Sequence, residues 1–247
     1  MTSNSHKHDN LGKPGFFVTG TDTEVGKTLI SGALITQLKK QHAVVAGFKP
    51  VVAGMNLIAG KMCNEDILAL SSVMSYKPQE DYLDICPYQL ASPAAPHLVA
   101  KEANIHLDYE VMLSAFNKLR EKSNAIVVEG VGGFKVPFHD GKTSADFAQD
   151  IGLPIVLVIG MRLGCINHAL LTVEAIQSRG LQLAGWVANT VGPMTLLQEN
   201  IATLERLIPA PLLGIVPELS KELMQVPYSV SAMEKAASYL KLSLIHI

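Results

Sequence analysis

The residues with the clearest chemical meaning in this sequence are Gly26-Lys27-Thr28, which close a loop that begins at Gly20 after the apolar segment 16–19. Glycine lets the backbone turn sharply, and the amide groups of such a loop can then point at anionic oxygens. A helix that begins near Gly26 would add its positive end at the same place. Lys27 supplies a full positive charge, and the hydroxyl of Thr28 is a ligand suited to Mg²⁺. The pattern predicts a binding site for a nucleotide polyphosphate and its metal.

The spacing of this loop departs slightly from the usual one. Five residues separate Gly20 from Gly26, whereas the common pattern is G-x-x-x-x-G-K-[ST], so the loop is one residue longer or its frame begins at Thr21. The alternative, in which Gly-Lys-Thr merely opens a surface helix, is disfavoured by the apolar strand before it and the helical segment after it. Asp22 and Glu24 carry charge that opposes phosphate, so we expect them to face metal-bound water or a cationic second substrate.

Two charged residues follow or end further predicted strands, where an open parallel sheet binds its ligands. Lys49 comes after segment 44–48, and Glu129 comes after the apolar run 125–128. The ammonium could stabilise charge on a transferring phosphoryl group, although a lysine at a strand end is commonly a solvated surface residue. The carboxylate could hold Mg²⁺ directly or through water, and the glycines after it let the chain pass close to phosphate.

Asp66 has two interpretations. It lies in Asn64-Glu65-Asp66 at the start of a predicted helix, where a carboxylate caps the helix or stabilises its dipole. From the residues alone we favour this structural role, and a role at the metal stays open.

The composition of the chain limits the size of the domain and the kinds of partner that we expect. The chain has 247 residues, 48% of them hydrophobic and 17% charged, with a formal net charge of −2. This is enough for one large α/β domain, and the absence of a basic excess argues against a nucleic-acid partner. Cys63, Cys86 and Cys165 show no C-x-x-C spacing, so neither a disulfide framework nor a zinc site is supported, and a reducing cytoplasm fits best.

Domain organisation is predicted to be simple. Residues 1–14 are polar, include His6 and His8, and lack the apolar core of a signal peptide, so we predict a disordered extension followed by a single domain over 15–247. No apolar run is long enough to cross a bilayer, so no membrane partner is expected.

Short apolar runs alternate with amphipathic segments of helical length, which is typical of parallel strands joined by crossover helices. We therefore predict a P-loop NTPase-like α/β fold with a mostly parallel sheet flanked by helices on both faces. Segment 77–105, rich in Pro and Ala, is predicted to form a loop over the site. The predicted strands are 16–19, 44–48, 125–128, 155–159, 183–188 and 212–216, and the predicted helices are 27–41, 65–74, 109–122, 144–151, 167–179, 194–207 and 229–240.

Taken in order, the motifs of this chain resemble those of the dethiobiotin synthetase family, ATP-dependent enzymes that close the ureido ring in biotin synthesis. The matching segments are TGTDTEVGKT, GFKPVVAG, NEDILAL, VVEGVGGF, GCINHALLTVEAIQSRGLQLAGWVAN and PAPLLGIVPEL. The match as a whole extends from about Phe16 to Leu219, and the first segment and GCINHALLT are highly specific to the family. The functional prediction depends on this resemblance, not on periodicity or composition.

The resemblance implies ATP and Mg²⁺ as cofactors. Thr28, Asp66 and Glu129 would form the metal set, which restores Asp66 as a candidate ligand. Lys27 and Lys49 would flank the γ-phosphate, with Lys49 as the family's catalytic lysine. Asn189 and Thr190 would meet the adenine. The implied nucleotide-binding residues are Glu24, Val25, Gly26, Lys27, Thr28, Leu29, Asp66, Glu129, Gly130, Val131, Gly132, Asn189, Thr190, Pro217, Glu218 and Leu219.

The resemblance also implies 7,8-diaminopelargonate and CO₂ or bicarbonate as substrates, and a homodimer with its active site at the interface. The loop of residues 164–167 of one subunit would offer backbone amides to the substrate carboxylate bound on the other, a role that a helix N-terminus can fill. The implied substrate-binding residues are Thr23, Lys49, Ala53, Gly164, Cys165, Ile166 and Asn167.

One position departs from the family pattern. The family usually places Ser where this chain has Ala53. The missing hydroxyl implies weaker or shifted binding of the diamine, or a relative with a changed specificity.

Two alternatives share part of the pattern. The synthetase half of an amidotransferase acting on cobyrinic-acid-type carboxylates has the same fold and phosphate loop, but we find no glutaminase domain and no candidate Cys-His nucleophile pair. A partition or septum-site ATPase, a dimeric switch on membrane or DNA, typically has Lys-Gly-Gly in the frame occupied here by Thr21-Asp22-Thr23. Its membrane members end in a basic amphipathic helix that segment 239–247 does not supply.

Overall fold

The structure is a computed structural model that describes residues 12–58, 60–139 and 141–245. Most of the predicted N-terminal extension, including His6 and His8, lies outside the described residues. The strands are β1 (Gly15–Gly20), β2 (Val45–Phe48), β3 (Val51–Ala53), β4 (Asn56–Ile58), β5 (Lys61–Cys63), β6 (Tyr88–Leu90), β7 (Ala125–Glu129), β8 (Ile155–Met161), β9 (Leu183–Thr190) and β10 (Leu212–Val216). The helices are α1 (Lys27–Leu38), α2 (Glu65–Val73), α3 (Pro96–Glu102), α4 (Tyr109–Lys122), α5 (Ser144–Ile151), α6 (Cys165–Gln177), α7 (Leu197–Leu207) and α8 (Val230–Ala237), followed by a 3₁₀ turn at Leu242–Leu244.

Six strands form one parallel sheet in the order β10-β9-β8-β1-β7-β2. The strands β1, β2, β7 and β8 are buried along their whole length, as expected for strands that carry apolar side chains on both faces. Because all six are parallel, their carboxyl ends meet at one edge. The loop after β1 is therefore flanked by the ends of β7 and β8.

Helices cover both faces of this sheet. Alternate residues of β8 point to opposite sides, and they belong to two different hydrophobic clusters. Leu157 and Ile159 pack with residues of α6 and α7, whereas Val156 and Val158 belong to the larger cluster that includes α1 and α8. The predicted α/β fold is confirmed. No helix within the described ranges is long and apolar enough to span a membrane.

The region 77–105 was predicted to be a loop, and this is partly wrong. It contains β6, which pairs in parallel with β3, and α3, which begins with Pro96 at its first position. Three-residue strands are too short to show a periodic pattern, and they form here because a distant segment supplies the hydrogen bonds. The proline at a helix start is a signal that could have located α3.

The start of α5 shows how local sequence fixes a helix boundary and predicts a pH effect. Thr143 and Asp146 form a capping box, in which an Asp146 oxygen accepts hydrogen bonds from the Thr143 amide at 2.7 Å and from its hydroxyl at 2.6 Å. Arg179 donates to the other carboxylate oxygen at 2.8 Å. Although partial burial acts in the opposite direction, the hydrogen bonds from Thr143 and the contact with Arg179 lower the pKa of Asp146 to about 2.

We expect Asp146→Asn to lower the free energy of unfolding near neutral pH by about 1 kcal/mol, the usual value of such a cap. The folded-state pKa is below the unfolded value of about 3.9, so the stabilisation is present above about pH 4 and is lost as the pH falls toward about 2. Urea unfolding of both proteins from neutral pH to about pH 3 should show the difference shrinking with acid. The exposed Glu121 on α4 offers a control, Glu121→Gln; a pH-independent difference for Asp146→Asn would contradict this assignment.

Candidate active site

A cavity of about 700 Å³ opens at the carboxyl edge of the sheet, beside the loop after β1. It is walled by the phosphate loop, the ends of β2 and β7, the start of α2, the segment 93–96 before and at the start of α3, and two residues before α8. The structure brings eleven of the predicted site residues to this cavity: Thr23, Glu24, Gly26, Lys27, Thr28, Lys49, Ala53, Asp66, Glu129, Val131 and Gly132.

The phosphate loop is held open by its own backbone and by a side chain from β9. Gly26 has φ +86°, and a Cβ at this position would lie 2.2 Å from Nδ2 of Asn189, so only glycine fits without displacement. Asn189 donates from Nδ2 to the carbonyl of Val25 at 2.9 Å. This predicted adenine contact therefore also fixes the shape of the loop. Lys27 Nζ donates to the carbonyl of Asp22 at 2.9 Å.

Asp22 has a partner that the sequence did not predict. Its carboxylate pairs with the guanidinium of Arg162, which directly follows β8, and accepts a 2.8 Å hydrogen bond from the Thr23 amide. We had expected Asp22 to face metal-bound water or a cationic substrate, and in this structure its cationic neighbour is Arg162. The sequence feature that could have indicated Arg162 as a residue near the site is its position directly after a strand.

Four polar side chains from four segments converge at the floor of the cavity. Lys49 Nζ lies 2.8 Å from Asp66 Oδ2 and also contacts Glu129 Oε1. The Thr28 hydroxyl lies 2.7 Å from Asp66 Oδ1 and 2.9 Å from Glu129 Oε1. The sheet order β1-β7-β2 explains this convergence, because it places Glu129 between the loop after β1 and Lys49 after β2.

Asp66 is oriented toward this cluster by the cap of α2. The N-cap is Asn64, whose Oδ1 accepts from the Asp66 amide at 2.9 Å, while its Nδ2 donates to the carbonyl of Gly54 at 2.7 Å. Asp66 lies in the first turn of α2, as the structural interpretation allowed, but its side chain is not the cap. It points to Thr28 and Lys49 instead.

The protonation states follow from burial and from these contacts. Burial, together with the nearby Lys49 charge, lowers the pKa of Lys27 to about 8. Burial alone would also lower the pKa of Lys49, but the carboxylates of Asp66 and Glu129 raise it above its usual range. Burial raises the pKa of Glu129, and Lys49 holds the pKa of Asp66 below its usual value against the effect of burial. Lys49 therefore keeps its proton and its positive charge.

The oxygens of this cluster suit Mg²⁺. Glu129 is fully buried, and its Oε2 has no hydrogen-bond partner among the described residues. A buried carboxylate oxygen without a partner is costly unless a cation or water completes it. Mg²⁺ typically binds one or two carboxylates together with phosphate oxygens and water. Thr28, Asp66 and Glu129 fit that pattern.

Other predicted residues lie outside the walls of this cavity. Val25 and Leu29 are buried in the core, and Gly130 packs against Phe17. Thr190 ends β9, and segment 217–219 follows β10. The residues of segment 164–167 lie at the N-terminus of α6 and do not line the cavity of their own chain.

Sequence reasoning missed several wall residues. Tyr228 and Val226 line the cavity beyond the last segment that resembled the family, where no signal was readable. Pro93 and Pro96 also line it, within the region predicted as a loop over the site. The location of this region beside the cavity agrees with the prediction. The presence of α3 and β6 within it does not.

A glycine-bounded Lys-Thr loop after a central parallel strand, facing a carboxylate on the neighbouring strand, defines a P-loop NTPase. Solved structures agree with this class. The septum site-determining protein MinD of Pyrococcus horikoshii, complexed with Mg-ADP, superposes with a TM-score of 0.53 at 14% identity and covers 94% of this chain and 93% of that chain. The MinC:MinD cell division complex of Aquifex aeolicus gives 0.51 at 16% identity, covering 90% and 86%. At this identity the likeness shows the fold alone.

Sequence comparison gives the family. A family profile described as an AAA domain matches residues 14–224. ATP-dependent dethiobiotin synthetase BioD of Aromatoleum aromaticum is 48% identical over 83% of this chain and 91% of its own length. The BioD of Ralstonia nicotianae is 47% identical over 83% and 89%, and BioD 1 of Escherichia coli O157:H7 is 44% identical over 83% and 91%. The chain belongs to the family of ATP-dependent dethiobiotin synthetases, enzymes of the ligase class. The predicted family is confirmed, and the septum-site ATPases share only its fold.

Proposed function

We propose that this protein carboxylates 7,8-diaminopelargonate with CO₂ and closes the ureido ring at the expense of Mg-ATP, giving dethiobiotin, ADP and phosphate. The observation that carries the proposal is the convergence of Lys49 and Thr28 on the carboxylates of Asp66 and Glu129, at the mouth of the phosphate loop. Together with the family, this arrangement supports phosphoryl transfer to a small carboxylated substrate.

The reaction needs three bond-forming steps. One amine of the substrate adds to CO₂ and loses a proton, which gives a carbamate. A carbamate oxygen then attacks the γ-phosphorus of ATP and displaces ADP, and the second amine attacks the mixed anhydride, releasing phosphate and closing the ring. When bound, Mg²⁺ would neutralise phosphate charge at Thr28, Asp66 and Glu129.

The chain itself contributes placement and positive charge. Lys49, fixed by two carboxylates at the cavity floor, presents a protonated amine where negative charge grows during transfer. Lys27 donates a hydrogen bond to the Asp22 carbonyl in this structure. In the presence of ATP its ammonium group would turn to the phosphates. Asp22 and Glu24 add negative charge near the diamine, although Asp22 shares its charge with Arg162.

We also propose that the active enzyme is a homodimer in which residues 164–167 of one subunit complete the substrate site of the other. The first-turn amides of α6 support this, since its N-cap Gly164 provides no side-chain cap. Leu163, the preceding residue, is 98% exposed in the single chain, so it is accessible for contact with a partner subunit. Sedimentation velocity at assay concentration should give a dimer; a monomer with full activity would contradict the interface.

Ala53 offers a specific test of substrate recognition. It lines the cavity at the end of β3, where the family pattern has a hydroxyl. We expect Ala53→Ser to lower the KM for diaminopelargonate by up to about tenfold, since a hydrogen bond contributes roughly 0.5–1.5 kcal/mol. The KM for ATP should stay constant. Steady-state kinetics with each substrate varied in turn would measure this, and an unchanged KM for the diamine would show that Ala53 does not weaken binding.

The function is tested by coupling ADP release to product formation. Purified protein with Mg-ATP is assayed with and without diaminopelargonate and bicarbonate, and dethiobiotin is quantified by mass spectrometry. We expect ADP release to require both co-substrates and to match dethiobiotin mole for mole. A steady ATPase rate indifferent to both compounds would instead favour a nucleotide-dependent switch.

A further inference from the structure

A second cavity, of about 730 Å³, lies between α3 with the segment after it and the loop that leads into α5. None of its lining residues lines the catalytic cavity. Its volume is within the range of small-molecule sites. The reaction proposed above makes no use of it.

The charged groups that line this cavity in the described part of the chain are of one sign. Lys101 and Lys142 line it together with the imidazoles of His97, His106 and His139, and within the described ranges no aspartate or glutamate does. The rings of His106 and His139 are in edge contact, with centroids 4.1 Å apart. Two lysines and three histidines from separate segments favour an anionic ligand.

The two lysines differ in how far they are already engaged. Lys142 Nζ lies 3.8 Å from Asp150 Oδ2 and 4.7 Å from the centre of the Tyr109 ring. Lys101, in the last turn of α3, forms no ion pair in the described part of the chain. Lys101 is therefore the stronger candidate for binding a carboxylate.

Apolar side chains make up part of the remaining walls, together with Asn104 and Thr143. Ile105 is 39% exposed and Pro137 is also exposed, whereas Ala100 and Phe138 are already buried. Inorganic phosphate would leave Ile105 and Pro137 in contact with water, whereas an alkyl chain would cover them. Within the described residues, no cluster of His, Cys, Asp and Glu is arranged to hold a metal ion. The ligand that fits both surfaces carries one anionic group and an aliphatic body.

The wall nearest the active site contains an unsatisfied polar atom. His97 Nδ1 is buried and lacks a hydrogen-bond partner among the described residues, which is uncommon for a buried polar atom. His97 directly follows Pro96, which lines the catalytic cavity. A ligand in the second cavity would thus contact the helix whose first residue walls the active site.

We propose that this second cavity is a binding site for a small aliphatic carboxylate, with its chain against Ile105 and Pro137 and its carboxylate held by Lys101 and His106. The proposal does not depend on the reaction assigned to the catalytic cavity. A carboxylate held by a lysine ammonium makes a charge-assisted hydrogen bond, which is the stronger kind.

The test uses the full chain and octanoate as the probe, with octylamine and inorganic phosphate for comparison. Isothermal titration should give saturable binding of one octanoate per chain at this site, with the amine and phosphate at least about tenfold weaker. We expect Lys101→Gln to weaken octanoate binding by about tenfold or more. The matched control is Lys118→Gln on α4, which removes the same charge outside this cavity and should leave binding unchanged.

Octanoate could instead enter the catalytic cavity, and the variants separate the two sites. Undiminished binding by Lys101→Gln would overturn the proposal, and so would equal binding of phosphate, which would indicate an adventitious ion only. Thermal unfolding checks that each variant is folded. If Lys101→Gln does not fold, octanoate binding is measured with His106→Asn instead. Sedimentation velocity would also overturn the proposal if octanoate caused a dimer to dissociate, because the cavity would then be a subunit interface.

Discussion

Lys49→Ala is expected to lower kcat by about a hundredfold or more, the usual effect of losing one positioned charge that stabilises a transition state. Lys49 is 4% exposed and contacts two carboxylates, so water cannot readily replace its amine. Binding of ATP should be largely kept, because the phosphate loop, Lys27 and Thr28 remain. The effect should therefore be in kcat rather than in the dissociation constant for nucleotide, measured with a fluorescent ATP analogue.

This variant also leaves Asp66 and Glu129 without their shared counter-ion. Two buried carboxylates at close range repel, which destabilises the folded state unless a cation is bound. We expect added Mg²⁺ to raise the melting temperature of Lys49→Ala more than that of the parent protein. Lys118→Ala on the exposed face of α4 is the control for losing a lysine. Wild-type turnover in folded Lys49→Ala would refute the assignment of this residue as catalytic.

The second large effect is expected from Glu129→Gln, which keeps the shape of a fully buried side chain and removes its charge. Glu129 Oε1 accepts from the Thr28 hydroxyl at 2.9 Å, and its Oε2 has no partner among the described residues. We expect kcat to fall on the order of a hundredfold and the Mg²⁺ concentration for half-maximal rate to rise, because both the metal and Lys49 lose a carboxylate.

Activity measured against Mg²⁺ concentration distinguishes this role from a general loss of structure. Glu65 lines the same cavity but forms no hydrogen bond to Lys49 or Thr28 in the described structure, so Glu65→Gln is a matched control. Its Mg²⁺ dependence should remain that of the parent. If Glu129→Gln kept the parental Mg²⁺ dependence while losing turnover, Glu129 would be acting through Lys49 alone and not at the metal.

The fold and the site differ in how far sequence could predict them. The six core strands were predicted within one or two residues because buried parallel strands form continuous apolar runs between glycine and proline signals. The short strands β3 to β6 and the helix α3 were missed. The strands β3 and β6 depend on each other across a distant stretch of sequence, whereas β4 and β5 pair locally with only two residues between them. All four have three residues, which is too short to show a periodic pattern.

Among the site residues, those next to glycine-rich loops and strand ends could be predicted. Lys27, Lys49 and Glu129 were found because their positions along the chain already place them at the ligand-binding edge of a parallel sheet. Arg162 and Tyr228 were not found. Arg162 contacts Asp22, which lies 140 positions earlier in the sequence. This contact depends on β8 lying beside β1.

The amino-acid sequence by itself determined the phosphate loop, the strand and helix pattern and the family, because these properties reside in residue types at fixed short spacings. The tertiary structure decided which charges pair, that Asp66 points to Lys49 rather than capping its helix, and that cationic side chains of α3 and the loop before α5 share a second cavity. The physical reason is that such contacts depend on the order of the strands, which follows from burying the apolar faces of the whole chain at once and cannot be read from any one segment.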